Sequence, residues 1–186
     1  TTAESVQWLS NAICCITYNI NNKIIFGTNG IKNTIISISK YTTTAESVQG
    51  WSSAIYNIIS NNNNNRIIFE TIDIRDAIIS VAKYATTAES VQWWSTAICY
   101  IIYNTNNKNI FGTNCIRNAI ISISKYATTP KSVIWLLNAI CNITDNDNNK
   151  IIFGTIDIRD AIISVSKYTT TAESVQWLSN AICCIT

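Results

Sequence analysis

The chain is predicted to be all-α: a solenoid of three-helix units of about 42 residues. Three observations predict it. First, the stretch Thr1 to Thr17 returns unchanged at Thr170 to Thr186 and in edited form from Thr43, Thr86 and Thr128. The copies align as Ala12-Ile13-Cys14-Cys15, Ala54-Ile55-Tyr56-Asn57, Ala97-Ile98-Cys99-Tyr100, Ala139-Ile140-Cys141-Asn142 and Ala181-Ile182-Cys183-Cys184, a step of 42 or 43 residues. A period of this size is the signature of stacked units that bury their cores against one another. Second, the apolar residues within each copy recur at helical spacing. Third, most copies open on a helix-capping sequence.

The helix inside the repeated stretch is the longest. Thr1-Thr-Ala-Glu4 reads as a capping box, with the Thr hydroxyl and the Glu carboxylate satisfying free amide donors of the first turn. The same four letters start at Thr43, Thr86 and Thr170. In the remaining copy Thr129-Pro130 takes their place, Pro presetting the backbone at the first helical position. Behind the cap, Val6, Leu9, Ala12, Ile13 and Ile16 make an apolar stripe that faces the core. A second line, Trp8, Asn11, Cys15 and Tyr18, lies a quarter turn or more away and is the place to look for function.

Asn-rich links follow, Tyr18-Asn-Ile-Asn-Asn-Lys23 and the longer Ser60-Asn-Asn-Asn-Asn-Asn-Arg66, and read as loops. One added residue in a loop costs little, so the second copy tolerates its insertion. The short runs Ile24-Ile25-Phe26, Ile67-Ile68-Phe69, Asn109-Ile110-Phe111 and Ile151-Ile152-Phe153 could be strands when taken alone. Their place between two clear helices favours a brief first helix. Thr28, Thr71, Thr113 and Thr155 then cap a further helix that carries Ile31, Ile35, Ile36 and Ile38 inward and ends in Lys40-Tyr41, the Lys complementing the helix dipole. The isoleucine content argues for strands, but period and capping outweigh it. Units therefore run about 18–60, 61–102, 103–144 and 145–186 after a partial unit 1–17. A finer pattern pairs units one and three (Asn33 to Ser39 with Asn118 to Ser124) and units two and four (Thr71 to Ser80 with Thr155 to Ser164), as duplication of a pair would produce.

Composition bounds the class. The 186 residues are 47% hydrophobic and carry a net charge of +2, enough for a sizeable core but with no strong field. No apolar run of membrane-spanning length occurs. The first residues show no secretory leader, though a chain that begins without Met in mid-repeat could lack one that its parent had. Seven cysteines, an odd number at helix positions, do not read as a disulfide framework, and a reducing compartment, cytoplasm or nucleus, is expected. Asn142-Ile-Thr144 fits a glycosylation acceptor but falls inside a predicted helix.

The run Asn21-Asn-Lys-Ile-Ile-Phe-Gly-Thr-Asn-Gly-Ile-Lys-Asn-Thr-Ile-Ile-Ser-Ile-Ser39, followed by the capped helix containing Val48-Gln49, resembles an armadillo repeat, and the likeness covers essentially the whole chain. HEAT arrays share the period and the helical character, and the Gly that armadillo units place before the second helix survives only at Gly30. The resemblance implies a right-handed superhelix whose third helices line a concave groove, with an Asn on each holding the backbone of an extended peptide. Carried over residue by residue, that Asn matches Asn57 and Asn142 and is replaced by Cys15, Tyr100 and Cys184. The family's Trp lies one turn before the Asn. Here the aromatic lies about two turns before, at Trp8, Trp93, Trp135 and Trp177, with Gly50 in the second unit.

The tryptophans admit two readings: packing between neighbouring units, or a row of aromatic shelves with Asn11, Asn138 and Asn180 beside them. Trp94 would share the role in its unit, and Trp51 is displaced by one position. The third helices carry almost no charge beyond Glu4, Glu46, Glu89, Glu173 and Lys131, so neither a strongly basic nor a strongly acidic partner fits. Bases recur at Lys23, Arg66, Lys108 and Lys150 and at Lys32, Arg75, Arg117 and Arg159, with Asp73, Asp76, Asp157 and Asp160 near the second set. This balance reads as a solvated face, not a nucleic-acid track.

Catalysis finds little support. His is absent, and neither Cys-x-x-Cys spacing nor a Gly-rich phosphate loop occurs, so no metal or cofactor is expected. The repeated cysteines read as small buried space-fillers more than as reactive thiols. Apolar end faces at Val6, Leu9 and Ile13 predict either a fragment of a longer array or head-to-tail association. The reading is a non-catalytic scaffold that holds a weakly charged protein segment, with a purely structural assembly element as the competing class.

Overall fold

The computed structural model describes residues 1–103 and 108–186. Among these residues no strand occurs. The helices are α1 (Ala3–Thr17), α2 (Ile20–Phe26), α3 (Asn29–Ser39), α4 (Ala45–Ile59), α5 (Asn63–Phe69), α6 (Ile72–Ala82), α7 (Ala88–Ile102), α8 (Asn114–Ser124), α9 (Pro130–Ile143), α10 (Asp147–Phe153), α11 (Ile156–Ser166) and α12 (Ala172–Ile185). A 3-10 turn, Lys108–Ile110, precedes α8. The Ile-Ile-Phe runs thus lie in the short helices α2, α5 and α10. Each is started by an Asn side chain, Asn19, Asn62 or Asn146, that accepts from a first-turn amide.

The long helices α1, α4, α7, α9 and α12 pack side by side in chain order, and α3, α6, α8 and α11 form a second row. Between the rows lie Val48, Ile55, Ile78, Val91, Ile98, Ile120, Val133 and Ile140, all closed to solvent. Full burial of one such side chain contributes about 1.5–3 kcal/mol, so the shared core outweighs the poor helix propensity of isoleucine.

Two expectations about local structure are corrected. The N-cap of each long helix is the second Thr of its pair, and in α4, α7, α9 and α12 its reciprocal partner is Ser, not Glu. Thr44 pairs with Ser47, Thr87 with Ser90, Thr129 with Ser132 and Thr171 with Ser174. Serine is short enough to accept from the cap's own amide at 3.0–3.1 Å, while the Glu remains in the first turn beside the helix dipole. Pro130 therefore accompanies the box instead of replacing it. Trp51 and Trp94 are core residues as well. Each is fully buried and donates its indole N–H to the second row, to the carbonyls of Ile35 (2.9 Å) and Ile78 (3.0 Å).

Contacts between successive copies are polar as well as apolar. Asn65 Nδ2 donates to its own copy's Ile58 carbonyl at 2.8 Å and to the previous copy's Lys23 carbonyl at 2.7 Å. Asn149 does the same with Ile143 (2.7 Å) and Lys108 (3.2 Å). Glycine roofs each amide: a Cβ at Gly27 or Gly112 would come within 1.8 Å of the Asn Oδ1. Moving the amide aside would strand two buried carbonyls, each costing about 1–3 kcal/mol. We therefore expect Gly27→Ala and Gly112→Ala each to lower unfolding free energy by about 2–4 kcal/mol in urea titrations. Gly30→Ala, whose Cβ meets nothing closer than 3.8 Å and which lies inside α3, should raise it by about 0.5–1 kcal/mol. Losses at Gly27 and Gly112 no larger than the change at Gly30 would remove the clamp.

Candidate binding cleft on the long-helix face

The bases of the first helices come to the surface less than their sequence context suggests. Lys23 and Arg66 are only 8% and 7% exposed, which corrects the reading of this set as a solvated face. Each reaches across to the end of the next long helix. Lys23 Nζ donates to the Ser60 carbonyl at 3.2 Å and to its hydroxyl at 2.6 Å, and Arg66 Nη1 donates to the Tyr103 carbonyl at 3.1 Å. Lys108 pairs with Asp145 in the same way. The terminal carbonyls of a long helix have no partner within it, so a cation supplied by the preceding copy closes that helix and fixes the spacing of the row. Burial pushes the Lys23 ammonium below its usual pKa.

Along the long-helix face aromatic side chains meet ring to ring. Tyr56 lies 5.7 Å from Trp93 and 4.6 Å from Tyr100, centroid to centroid, the second pair nearly perpendicular, and Tyr100 lies 6.0 Å from Trp135. Such pairs add about 0.5–1.5 kcal/mol each beyond their buried area. The Tyr100 phenol is pushed above its ordinary value by burial first and by Tyr56 second, with the nearby Arg66 charge pulling it partly back.

Beyond Tyr100 the row opens into a cleft of about 370 Å³ lined by Asn61, Arg66, Cys99, Tyr100, Tyr103, Trp135, Asn138, Asn142 and Trp177. Five of the residues singled out from sequence therefore come together: Tyr100, Trp135, Asn138, Asn142 and Trp177. Asn142 Nδ2 donates to Asn138 Oδ1 at 2.8 Å, which orients the pair. Asn57 stands one helix away, its amide given to the Ser53 carbonyl (2.9 Å), the Ser53 hydroxyl (3.3 Å) and Cys14 Sγ (3.3 Å). Trp93 and Asn11 share a shallow hollow of about 110 Å³ over Gly50. Trp8 is 67% exposed, Asn180 and Cys15 are exposed, and Cys184 is half-buried, so these four lie outside the cleft.

Arg66, Asn61 and Tyr103 were not singled out as binding residues from sequence. One signal was available: the column of first-helix bases holds Lys in three copies and Arg in the one whose loop carries the extra residue. A larger hollow of about 520 Å³ lies at the far end of the rows, walled by Ile156, Ile162, Ile163, Ile182 and Ile185.

No family model, curated protein or solved structure matches this chain. Site chemistry must therefore be read from the residues themselves. Among the described residues no three metal-ligating side chains converge, and no helix is long and apolar enough to cross a membrane. Burial pushes the thiols of Cys14, Cys99 and Cys141 up, away from the nucleophilic thiolate.

These thiols tie stability to pH. Their folded pKa lies above the unfolded value of 9.0, so the folded state keeps protons that the unfolded state releases. The contribution is fully present below that pH and is lost as pH rises from there through the folded pKa. Urea midpoints should fall as pH rises above about 8.5, and Cys99→Ala and Cys141→Ala should each flatten that fall. Slopes identical to the parent chain's would show that the two thiols titrate normally.

Proposed function

We propose that the chain is a non-catalytic scaffold of the armadillo type. Its long helices line the concave side of a right-handed superhelix and hold an extended protein segment. The convergence of Tyr100, Trp135, Trp177, Asn138 and Asn142 in one cleft supports this reading. An extended segment needs apolar shelves for its side chains and amide groups for its unpaired backbone, and this cleft offers both. Trp135→Ala combined with Asn142→Ala should weaken retained peptides about 10- to 100-fold while helical content by circular dichroism stays unchanged. The measurement is selection of random dodecapeptides on the parent chain and on the double variant. No peptide enriched on the parent over the variant would sink the reading.

A second reading, assembly through the end faces, is favoured by one observation. Leu9 and Ile16 on α1 are 41% and 43% exposed, whereas Trp51 and Ile58, which hold the same positions on α4, are 0% exposed. Val6 and Ile13 do not belong to that face as expected, because they turn toward the core shared with α4. Sedimentation velocity should show association that grows with concentration and weakens in Leu9→Glu. A strictly monomeric parent would leave only the scaffold reading.

A further inference from the structure

Arg66 stands apart from the other arginines of the chain. The sequence has four, Arg66, Arg75, Arg117 and Arg159. In Arg75 and Arg159 the Nε and Nη2 edge of the guanidinium grips the following carboxylate, Asp76 or Asp160, at 2.7–2.9 Å. In Arg117 the same edge takes Asn118 Oδ1 at 3.2–3.3 Å. Arg66 has no such neighbour among the described residues. Its Nη1 is committed to Asn63 Oδ1 (3.0 Å) and the Tyr103 carbonyl (3.1 Å), its Nε is buried with no partner, and Nη2 donates to no described residue. The ion pairs among the described residues join other side chains, and residues 104–107 (Asn-Thr-Asn-Asn) contain no carboxylate that could serve.

A guanidinium closed to solvent and lacking a counter-charge is costly unless something meets it. The Tyr103 ring, 5.3 Å away, offers its face and meets part of the need. Arg66 lines the cleft together with Tyr100, Trp135, Trp177, Asn138 and Asn142. A guanidinium in the wall of such a cleft matches a carboxylate, to which it gives a charge-assisted N–H bond.

Resting on the scaffold reading, we propose that the cleft is a selective pocket for one acidic side chain, Asp or Glu, of the bound segment, with Arg66 as its anchor. The acid comes from within the segment and not from its end. The aromatic row continues past the cleft through Tyr56 to Trp93 on one side, and Trp177 stands on the other, so the bound chain has surface to follow in both directions. Low net charge elsewhere on the long helices makes this single contact the source of selectivity.

The test uses three pentapeptides: capped Ala-Tyr-Glu-Tyr-Ala, capped Ala-Tyr-Gln-Tyr-Ala and uncapped Ala-Tyr-Gln-Tyr-Ala. Binding is read from the indole N–H resonances of Trp135 and Trp177 in the full chain. The Glu peptide should bind about tenfold more tightly than its capped Gln counterpart, and Arg66→Gln should erase the difference. Arg66→Lys, which keeps the charge but loses the planar edge, should retain a smaller preference. Equal binding of the capped peptides to the parent chain would overturn the acidic pocket while leaving the groove intact. Tighter binding of the uncapped Gln peptide than of the Glu peptide would overturn it in favour of a chain terminus. Failure of all three to bind would overturn the groove reading together with the pocket.

Discussion

The register of this structure depends on a bond that spans copies: a buried asparagine amide shared between a carbonyl of its own helix pair and a carbonyl of the copy before. Asn65 and Asn149 make it, and Gly27 and Gly112 leave the room for it. Apolar stripes alone would allow neighbouring helices to slide, because dispersion and burial have little directional preference. Two carbonyls fixed on one amide do not slide. At the first copy Asn22 donates to the Ile16 carbonyl.

Once the register is set, the surface chemistry follows from it. The base at each first helix reaches the end of the next long helix, so Lys23, Arg66 and Lys108 meet Ser60, Tyr103 and Asp145. The same spacing brings Tyr56, Tyr100 and Trp135 into ring contact across three long helices. These rings pack against one another and also line the long-helix face. Trp51 and Trp94 are interior posts, while Trp135 and Trp177 wall a cleft. A shift of one position along the helix, roughly 100°, separates the two fates.

Much of this was legible in the chain itself. The all-helical character, the order of short, middle and long helices, and the Thr caps before α3, α6, α8 and α11 all stand in the repeat pattern, because capping and apolar period are local properties. The grouping of Tyr100, Trp135, Asn138, Asn142 and Trp177 follows from the same pattern, since positions 8, 11 and 15 of each copy fall on one side of the long helix. What could not be read was anything set by contact between copies. The Thr-x-x-Glu spacing points to Glu as the capping partner, yet with the second Thr as N-cap the reciprocal place falls to Ser. Balanced charge points to a solvated face for Arg66, and only packing shows that it is enclosed. The arginine's missing counter-ion is a property of three dimensions, invisible to spacing.

The insertion in the second link is housed in a single residue, Asn61, whose φ of 58° lies in the left-handed region that asparagine tolerates better than most. The stack on either side is undisturbed, yet Asn61 and the Arg66 that ends the link both line the cleft. In a linear array every link is a separate dial. Lengthening one by a single asparagine reshapes one stretch of the surface while the long helices on either side keep their side-by-side packing.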